Sequence, residues 1–260
     1  MSNTPLLDVD HISLSFGGLK AVSDFKLELA PGSLEGLIGP NGAGKTTIFN
    51  LLTGVYQPHQ GTIRLAGRVI NGLKPYQIAA AGMSRTFQNI RLFGNLSVLD
   101  NVRIACHLRA RRTMAAAILR TPGHIGEERA IRERAHRLLE IFALDRRVDE
   151  QARNLPYGDQ RRLEIARAIA TDPKVLLLDE PAAGMNTQEK RALRDLIDLV
   201  RKDFDLSVLL IEHDMGLVMD ICERITVVDH GVTIACGAPA AIQKDAKVIE
   251  AYLGGPMEES

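Results

Sequence analysis

A glycine-rich segment that ends in lysine and threonine constrains the fold of this chain more than any other feature. Residues 39–46 read Gly-Pro-Asn-Gly-Ala-Gly-Lys-Thr, which matches the pattern G-x-x-x-x-G-K-[ST] at every fixed position. The apolar run 34–38 before it predicts a buried strand, and residues 46–53 after it predict a helix that stops at Gly54. This order of strand, loop and helix is the context in which the pattern binds phosphate.

The chemistry of the loop explains its residue types. Small residues let the backbone curl so that N–H groups face phosphate oxygens, and the following helix adds the positive end of its dipole. Lys45 can reach the terminal phosphates, and the Thr46 hydroxyl can bind Mg²⁺. The alternative is a glycine-rich turn with an accidental lysine, which the number of matched positions disfavours.

Composition excludes several classes of protein. Lysine plus arginine and aspartate plus glutamate both number 32, and this balance argues against a nucleic-acid partner, which normally needs a basic excess. The cysteines Cys106, Cys222 and Cys236 are isolated in sequence, as is typical of inert thiols in a reducing compartment. The first residues lack a signal-peptide pattern, and no apolar run approaches the ~18 residues of a membrane span. We therefore expect a cytosolic protein.

Period-two alternation of apolar residues predicts an antiparallel sheet beside the loop. Residues 6–16 and 25–29 alternate apolar and polar side chains, and 61–67 is another short strand between glycines. Phe16 ends the first of these strands. It is either a core residue or an aromatic face that stacks on a nucleotide base.

The middle of the chain has a different character. Residues 84–88 predict a short strand that ends in Gln88, where ligand groups gather in a parallel sheet, although a plain surface glutamine fits equally well. From residue 97 to about residue 143, apolar residues recur at helical spacing, which predicts an inserted helical subdomain. Gly158 lies just before a helix predicted at 161–170, a geometry that suits anions but is weak evidence alone.

Two apolar strands end in groups suited to hydrolysis. The run 175–178 precedes Asp179 and Glu180, and the run 207–211 precedes His213; such unbroken runs are typical of buried parallel strands. Buried carboxylates need partners, and a Mg²⁺ ion with a reacting water suits this pair. Asp179 then supports the metal, directly or through water, and Glu180 polarises the attacking water. His213 could contact the γ-phosphate, although a lone histidine is usually structural. The alternative is that Asp179 and Glu180 are two charged residues of a surface loop.

Together these segments resemble the ATP-binding subunit of an ABC transporter over essentially the whole chain. The phosphate loop, a glutamine loop, a signature sequence, an acidic strand end and a switch histidine follow in the family's order, at 39–46, Gln88, 155–160, Asp179-Glu180 and His213. The resemblance implies the α/β fold of a P-loop NTPase, with a RecA-like core, an antiparallel β subdomain and an inserted helical subdomain. It assigns 1–88 and 162–260 to the core with the β subdomain, and 89–161 to the helical subdomain that carries the signature.

The resemblance also implies a role for each acidic and polar site residue. Glu180, His213 and Gln88 are expected to be catalytic, while Thr46, Gln88 and Asp179 are expected to hold Mg²⁺.

The expected ATP contacts follow in the same way. Phe16 occupies the position where this family stacks an aromatic ring on adenine, and Val22 is a further contact. The loop supplies the others: Gly39, Pro40, Asn41, Gly42, Ala43, Gly44, Lys45, Thr46 and Thr47. A second chain is expected to cap this ATP with its own signature: Leu155, Pro156, Tyr157, Gly158, Asp159 and Gln160.

A narrower resemblance concerns the transported cargo. Segments 85–93, 162–167 and 179–186, with the tail 251–254, are similar to the ATP-binding subunit of high-affinity branched-chain amino acid importers. This implies an identical or paralogous ATP-binding partner, integral-membrane permease subunits, an indirect periplasmic substrate-binding partner and a place at the inner face of a bacterial plasma membrane. Lipopolysaccharide-export ATPases share part of the pattern.

Two other classes compete with a transport function. A soluble ABC ATPase of translation or DNA repair usually carries two ATP-binding halves or a long coiled-coil insertion, and this sequence has neither. A nucleotide-binding regulator without turnover is disfavoured because Glu180 and His213 are both present.

Two departures from the family pattern affect the site. The general signature is Leu-Ser-Gly-Gly-Gln, whereas residues 155–159 read Leu-Pro-Tyr-Gly-Asp. Pro156 supplies neither a hydroxyl nor an N–H, so one contact to the γ-phosphate is lost. Asn186 stands where many members have aspartate, so the family's cross-dimer contact at this position is not carried over.

Overall fold

Strands in two sheets organise the chain, of which the computed structural model describes residues 4–109 and 122–253. The strands are β1 (Leu7–Phe16), β2 (Leu19–Leu29), β3 (Leu34–Ile38), β4 (Gln60–Leu65), β5 (Arg68–Val69), β6 (Met83–Arg85), β7 (Val175–Asp179), β8 (Ser207–Ile211), β9 (Arg224–Asp229) and β10 (Val232–Gly237). The helices described are α1 (Lys45–Leu52), α2 (Pro75–Ala81), α3 (Val98–Cys106), α4 (Pro122–Ile141), α5 (Tyr157–Ala170), α6 (Thr187–Asp203), α7 (Met215–Ile221), α8 (Pro239–Ile242) and α9 (Ala246–Leu253).

The six-stranded sheet has the order β10-β9-β3-β8-β7-β6. Neighbours pair in parallel except β9 and β10, and β3, β7 and β8 are buried along their whole length. The buried parallel strands predicted from the unbroken apolar runs are thus confirmed. Because the carboxyl ends of parallel strands meet at one edge, the residues that follow β7 and β8 are brought together.

The four-stranded sheet is antiparallel and has the order β2-β1-β4-β5. Its strands alternate buried and exposed residues, as the period-two pattern predicts. One hydrophobic cluster includes residues of this sheet, of α1 and of β3, β7 and β8, with Phe25 and Phe49 fully buried. This shared core fixes α1, and the loop before it, against the six-stranded sheet.

Contacts divide the chain into two compact units, Met1–Arg85 with Lys174–Ser260, and Thr86–Pro173. In the second unit α3 packs on α4 and α5. The boundaries predicted for the helical subdomain, 89–161, stay a prediction; the observed unit is longer because the whole of α5 packs within it. Residues 110–121 of the predicted helical block, and Gly254 of the tail, lie outside the described residues. In the described ranges, no helix is long and apolar enough to cross a membrane.

Two local predictions are wrong. The predicted strand 84–88 is β6, which stops at Arg85, so Gln88 lies beyond the strand end rather than at it. The helix predicted at 161–170 begins at Tyr157 and has Pro156 as its N-cap, with φ of −54°. Proline is tolerated there because a helix start leaves N–H groups unpaired anyway. Gly158 therefore lies inside the first turn and not before the helix.

Candidate functional site

The glycines of the loop at 39–46 are required by space and by backbone conformation. Gly39 has φ of 155°, and a Cβ atom there would lie 2.0 Å from the Val228 carbonyl oxygen. Gly44 has φ of 100° and caps α1, and a Cβ atom there would lie 2.7 Å from the Ala21 carbonyl oxygen. Any side chain at either position would collide with backbone, so the loop keeps its shape only with glycine.

Lys45 is the first residue of α1, and its side chain folds back onto the start of this loop. Its Nζ donates to the carbonyl oxygens of Gly39 at 2.6 Å and Pro40 at 2.8 Å. Burial lowers the pKa of Lys45, and the negative charges of Glu180 and Asp179 oppose that shift. The structure therefore brings the loop lysine and the acidic strand end together, as the sequence predicts.

The other loop residues differ in exposure. Asn41, Gly42 and Thr46 are exposed, Thr47 is half-buried and Ala43 is buried. The Thr46 hydroxyl is therefore open to a ligand at the start of α1.

Glu180 and His213 form a close pair at the ends of β7 and β8. The Glu180 Oε1 atom lies 2.6 Å from His213 Nε2, with 14% of the glutamate side chain and 43% of the histidine side chain exposed. The Glu180 N–H donates to the Ile211 carbonyl at 2.9 Å, which ties the two strand ends together. A carboxylate and an imidazole at hydrogen-bond distance can orient and deprotonate a water molecule.

Glu180 also has an unusual backbone conformation. Its φ is 47°, in the left-handed region, which costs a residue with a Cβ atom roughly 1–2 kcal/mol. Such conformations persist where the surrounding structure fixes them, and they are common in active sites.

Asp179 has a protein partner that the sequence did not reveal. Arg85 Nη2 lies 2.6 Å from Asp179 Oδ2, with 6% and 4% of the two side chains exposed, and Arg85 Nη1 donates to Asn50 Oδ1 at 2.7 Å. Asp179 thus already has a charged partner in Arg85, and support of a metal by Asp179 stays a prediction. The available signal was a basic residue at the end of the neighbouring strand.

Glu212 is a second residue that sequence reasoning missed. Only 3% of it is exposed, and it accepts hydrogen bonds from the Ala182 N–H at 2.7 Å and the His213 N–H at 3.1 Å. Burial raises its pKa, and these backbone bonds oppose the shift. The carboxyl group thereby links the loop after Glu180 to the strand end that carries His213.

The two residues predicted to contact ATP from the antiparallel sheet differ in accessibility. Phe16 is 46% exposed, so the core alternative for it is wrong, and its ring meets Tyr56 edge-on with centroids 5.2 Å apart. Val22 is 1% exposed and pairs with Leu14 in the sheet. Stacking of Phe16 on adenine stays a prediction, as does a contact from Val22.

The predicted glutamine loop and signature lie in the second unit. Gln88 is exposed in a bend. The signature runs from buried Leu155 through Pro156 into the first turn of α5, where Tyr157 is 46% exposed and Gln160 Nε2 donates to the Leu155 carbonyl at 2.8 Å.

Asn186 has a clear structural role. Its side chain accepts from the N–H groups of Gln188 at 2.9 Å and Glu189 at 3.0 Å, and Glu189 Oε2 accepts from the Asn186 N–H at 2.8 Å. This reciprocal cap starts α6.

The donor groups fit Mg²⁺ better than a metal held by protein alone. Among the residues that the structure describes, no group of three or more His, Cys, Asp or Glu side chains is placed to hold a metal ion. Mg²⁺ usually takes one or two protein oxygens, with waters and substrate phosphates completing its shell. The Thr46 hydroxyl and the Asp179 carboxylate are oxygen donors of that kind.

Comparison with known proteins gives a consistent result. The family model described as "ABC transporter" matches residues 22–183, and "Branched-chain amino acid ATP-binding cassette transporter" matches residues 232–257. The chain is 47% identical over 250 residues to the high-affinity branched-chain amino acid transport ATP-binding protein LivG of Escherichia coli (strain K12), covering 96% of this chain and 98% of that one.

A more distant relative and a solved structure are also ATP-binding proteins of transport systems. The lipopolysaccharide export system ATP-binding protein LptB of Haemophilus influenzae is 33% identical, over 96% of this chain and 97% of its own. The crystal structure of MJ1267, an ATP-binding cassette of an ABC transporter in its ADP conformation, superposes with a TM-score of 0.83 at 27% identity, over 96% of this chain and 99% of that chain.

Proposed function

The chain belongs to the ABC transporter family of ATP-binding proteins, and on this premise we propose that it hydrolyses ATP to drive a membrane importer of branched-chain amino acids. The observation that carries the ATPase function is the Glu180–His213 pair, 2.6 Å apart, in which Glu180 also acts on Lys45 through its charge. The cargo is supported by the identity to LivG and by the matched C-terminal segment.

The proposal gives each site residue a role within one chain. Glu180 takes the proton of the attacking water, and His213 orients that carboxylate through its Nε2 contact and reaches the γ-phosphate. Lys45 exchanges its bonds to the Gly39 and Pro40 carbonyls for bonds to phosphate oxygens. Glu212 holds the loop after Glu180 close to His213 through hydrogen bonds to the N–H groups of Ala182 and His213.

The remaining predicted ligands belong to this proposal. Thr46 and Gln88 hold Mg²⁺ and Asp179 supports it; when bound, this ion neutralises developing charge on the phosphates. Phe16, Val22 and the loop residues 39–47 bind ATP. Because Asp179 is paired with Arg85, we expect it to support the metal through a water molecule.

Assembly is also part of the proposal. Two ATP-binding chains, identical or paralogous, sandwich ATP, and the 155–160 signature of each caps the nucleotide of the other. Membrane permease subunits hold this dimer at the inner face of the plasma membrane, and a periplasmic binding protein delivers the amino acid. The names of the relatives support transport, and the lower identity to LptB makes lipopolysaccharide export the weaker candidate.

The test is Glu180→Gln in the chain reconstituted with its permease subunits in membrane vesicles. We expect ATP binding to persist while ATP turnover falls by about 10²–10⁴, the usual contribution of a general base. Glu250→Gln, the same chemical change on the exposed face of α9, is the matched control. Lys45→Ala should behave differently from Glu180→Gln, because it should abolish nucleotide binding itself.

Two results would contradict the proposal at different levels. Unchanged turnover in Glu180→Gln would remove Glu180 from the role of base. ATP-driven export of lipopolysaccharide, with no ATP-driven import of leucine, isoleucine or valine, in the same vesicles would refute the cargo while leaving the ATPase function intact.

A further inference from the structure

A buried ion pair on α5 holds the main chain around Gln88. Arg161 and Glu164 lie one helical turn apart on α5, 2.9 Å from each other, with 0% and 2% of their side chains exposed. A charged pair taken fully out of water is tolerated only when its remaining hydrogen-bonding groups also find partners. Among the described residues the Arg161 Nε–H has no such partner, and most of the partners of the other groups lie in one short segment of the chain.

The segment is residues 86–91, which follows β6 and contains neither helix nor strand. Arg161 Nη1 donates to the Phe87 carbonyl at 2.8 Å, and Arg161 Nη2 donates to the Gln88 carbonyl at 2.9 Å. Glu164 Oε1 accepts from the N–H groups of Phe87 at 3.3 Å and Arg91 at 3.2 Å. The two side chains thus supply backbone partners on both sides of Gln88, a task that regular secondary structure performs elsewhere.

The same guanidinium also contacts the signature. Arg161 Nη2 lies 3.1 Å from the Tyr157 hydroxyl, and its Cζ lies 5.8 Å from the centre of the Tyr157 ring. Tyr157 is the first residue of α5. One side chain therefore joins the Gln88 carbonyl to the first turn of the signature helix.

Packing alone does not explain this choice of residues. An apolar pair of similar volume is often as stable as a buried ion pair, or more so. An apolar pair lacks the planar guanidinium group of arginine, whose N–H donors hold several acceptors in defined directions. Apolar side chains could fill the same volume. They could not hold the Phe87 and Gln88 carbonyls in fixed directions.

We propose that Arg161 and Glu164 are positioning residues for ATP turnover, which fix the main chain around Gln88 and the first turn of the signature helix in one arrangement. They act through Gln88 and Tyr157 and not by contact with ATP. This inference rests on the proposed function, because it assumes that Gln88 and the signature serve ATP hydrolysis.

The decisive variant is Arg161→Met/Glu164→Leu, which replaces both charges together. We expect this variant to fold, but with a lower free energy of unfolding than the wild type, because main-chain groups of Phe87, Gln88 and Arg91 lose these hydrogen bonds. We expect its ATP affinity to change by less than about twofold and its kcat to fall by about tenfold or more, the pattern of a lost transition-state contribution. Arg161→Lys, with a single point charge in place of the fork, should be intermediate.

A distance measurement reports the positioning directly. Spin labels at Asn89 and Asn154, both exposed, in a Cys236→Ser background should give one narrow distance distribution in the wild type and a broad one in the double variant. This reading is taken without nucleotide, so it tests the ion pair even if the chain turned out to have no ATPase activity.

Arg109→Met is the matched control. Arg109 donates to the carbonyls of Thr171 and Asp172, both at 2.9 Å, just beyond the other end of the same helix. Its loss should lower stability but leave kcat and the distance distribution unchanged. Wild-type kcat with a narrow distribution in the double variant would overturn the proposal, and so would an equal loss of kcat in Arg109→Met.

Discussion

Replacing Glu35 with glutamine should remove a pH-dependent loss of stability from this chain. Glu35 lies in β3, in register with Arg224 of β9, and 5% of it is exposed. Burial raises its pKa from 4.5 to about 7, against the opposing attraction of Arg224. The folded chain therefore holds this proton more tightly than the unfolded chain does.

The sign and size of the effect follow from this difference. Unfolding releases the proton between about pH 4.5 and pH 7, so the contribution of Glu35 to the free energy of unfolding falls as pH rises through that window and is constant above it. Glu35 also lines a cavity of about 460 Å³, where solvent screens the charge, so we expect a loss of ~2 kcal/mol rather than the ~3 kcal/mol of an unscreened group.

Urea denaturation at half-unit steps from pH 4.5 to pH 8 measures this directly. Glu35→Gln should match the wild type at the acid end and exceed its stability by ~2 kcal/mol at pH 8. Glu250→Gln, on an exposed face, should follow the wild-type curve. If the Glu35→Gln and wild-type curves run parallel across the whole range, burial does not perturb Glu35 in the way described.

Two further substitutions test the nucleotide contacts. Phe16→Ala should weaken ATP affinity by ~1–3 kcal/mol, the usual value of base stacking on an aromatic ring, while Phe16→Tyr keeps it; titration with a fluorescent ATP analogue checks this, and equal affinity in Phe16→Ala would exclude stacking. In a Glu180→Gln background, Pro156→Ser should strengthen ATP-driven dimerisation by ~0.5–1.5 kcal/mol through one added hydroxyl contact. Sedimentation equilibrium measures it, and no change would mean that the helix backbone suffices.

The sequence predicts that the site residues lie close together, because they follow strands that can be recognised from short stretches of sequence. Unbroken apolar runs indicate parallel strands, and parallel strands place their following residues at one edge of a sheet. That reasoning is enough to bring Glu180 and His213 together. The loop is predictable for a different reason, because residues 39–46 match a phosphate-binding pattern at every fixed position.

The partners of these residues could not be predicted in the same way. Arg85 and Asp179 are 94 residues apart, and Glu212 reaches Ala182 across 30 residues; neither contact leaves a local pattern. Arg161 looks like one more arginine of a polar helix, and only the fold shows that it is buried. The early start of α5 was missed because a proline and a glycine together indicate a turn, although proline suits the N-cap of a helix.

The left-handed backbone of Glu180 has a consequence for protein engineering. A glycine or asparagine at this position relieves the conformational cost, so a screen for thermostable variants should enrich such replacements. Each enriched clone would have lost the carboxylate that faces His213. With the role proposed for Glu180, selection for heat resistance alone would thus favour stable variants without ATP turnover, and a stabilisation campaign should hold position 180 fixed from the start.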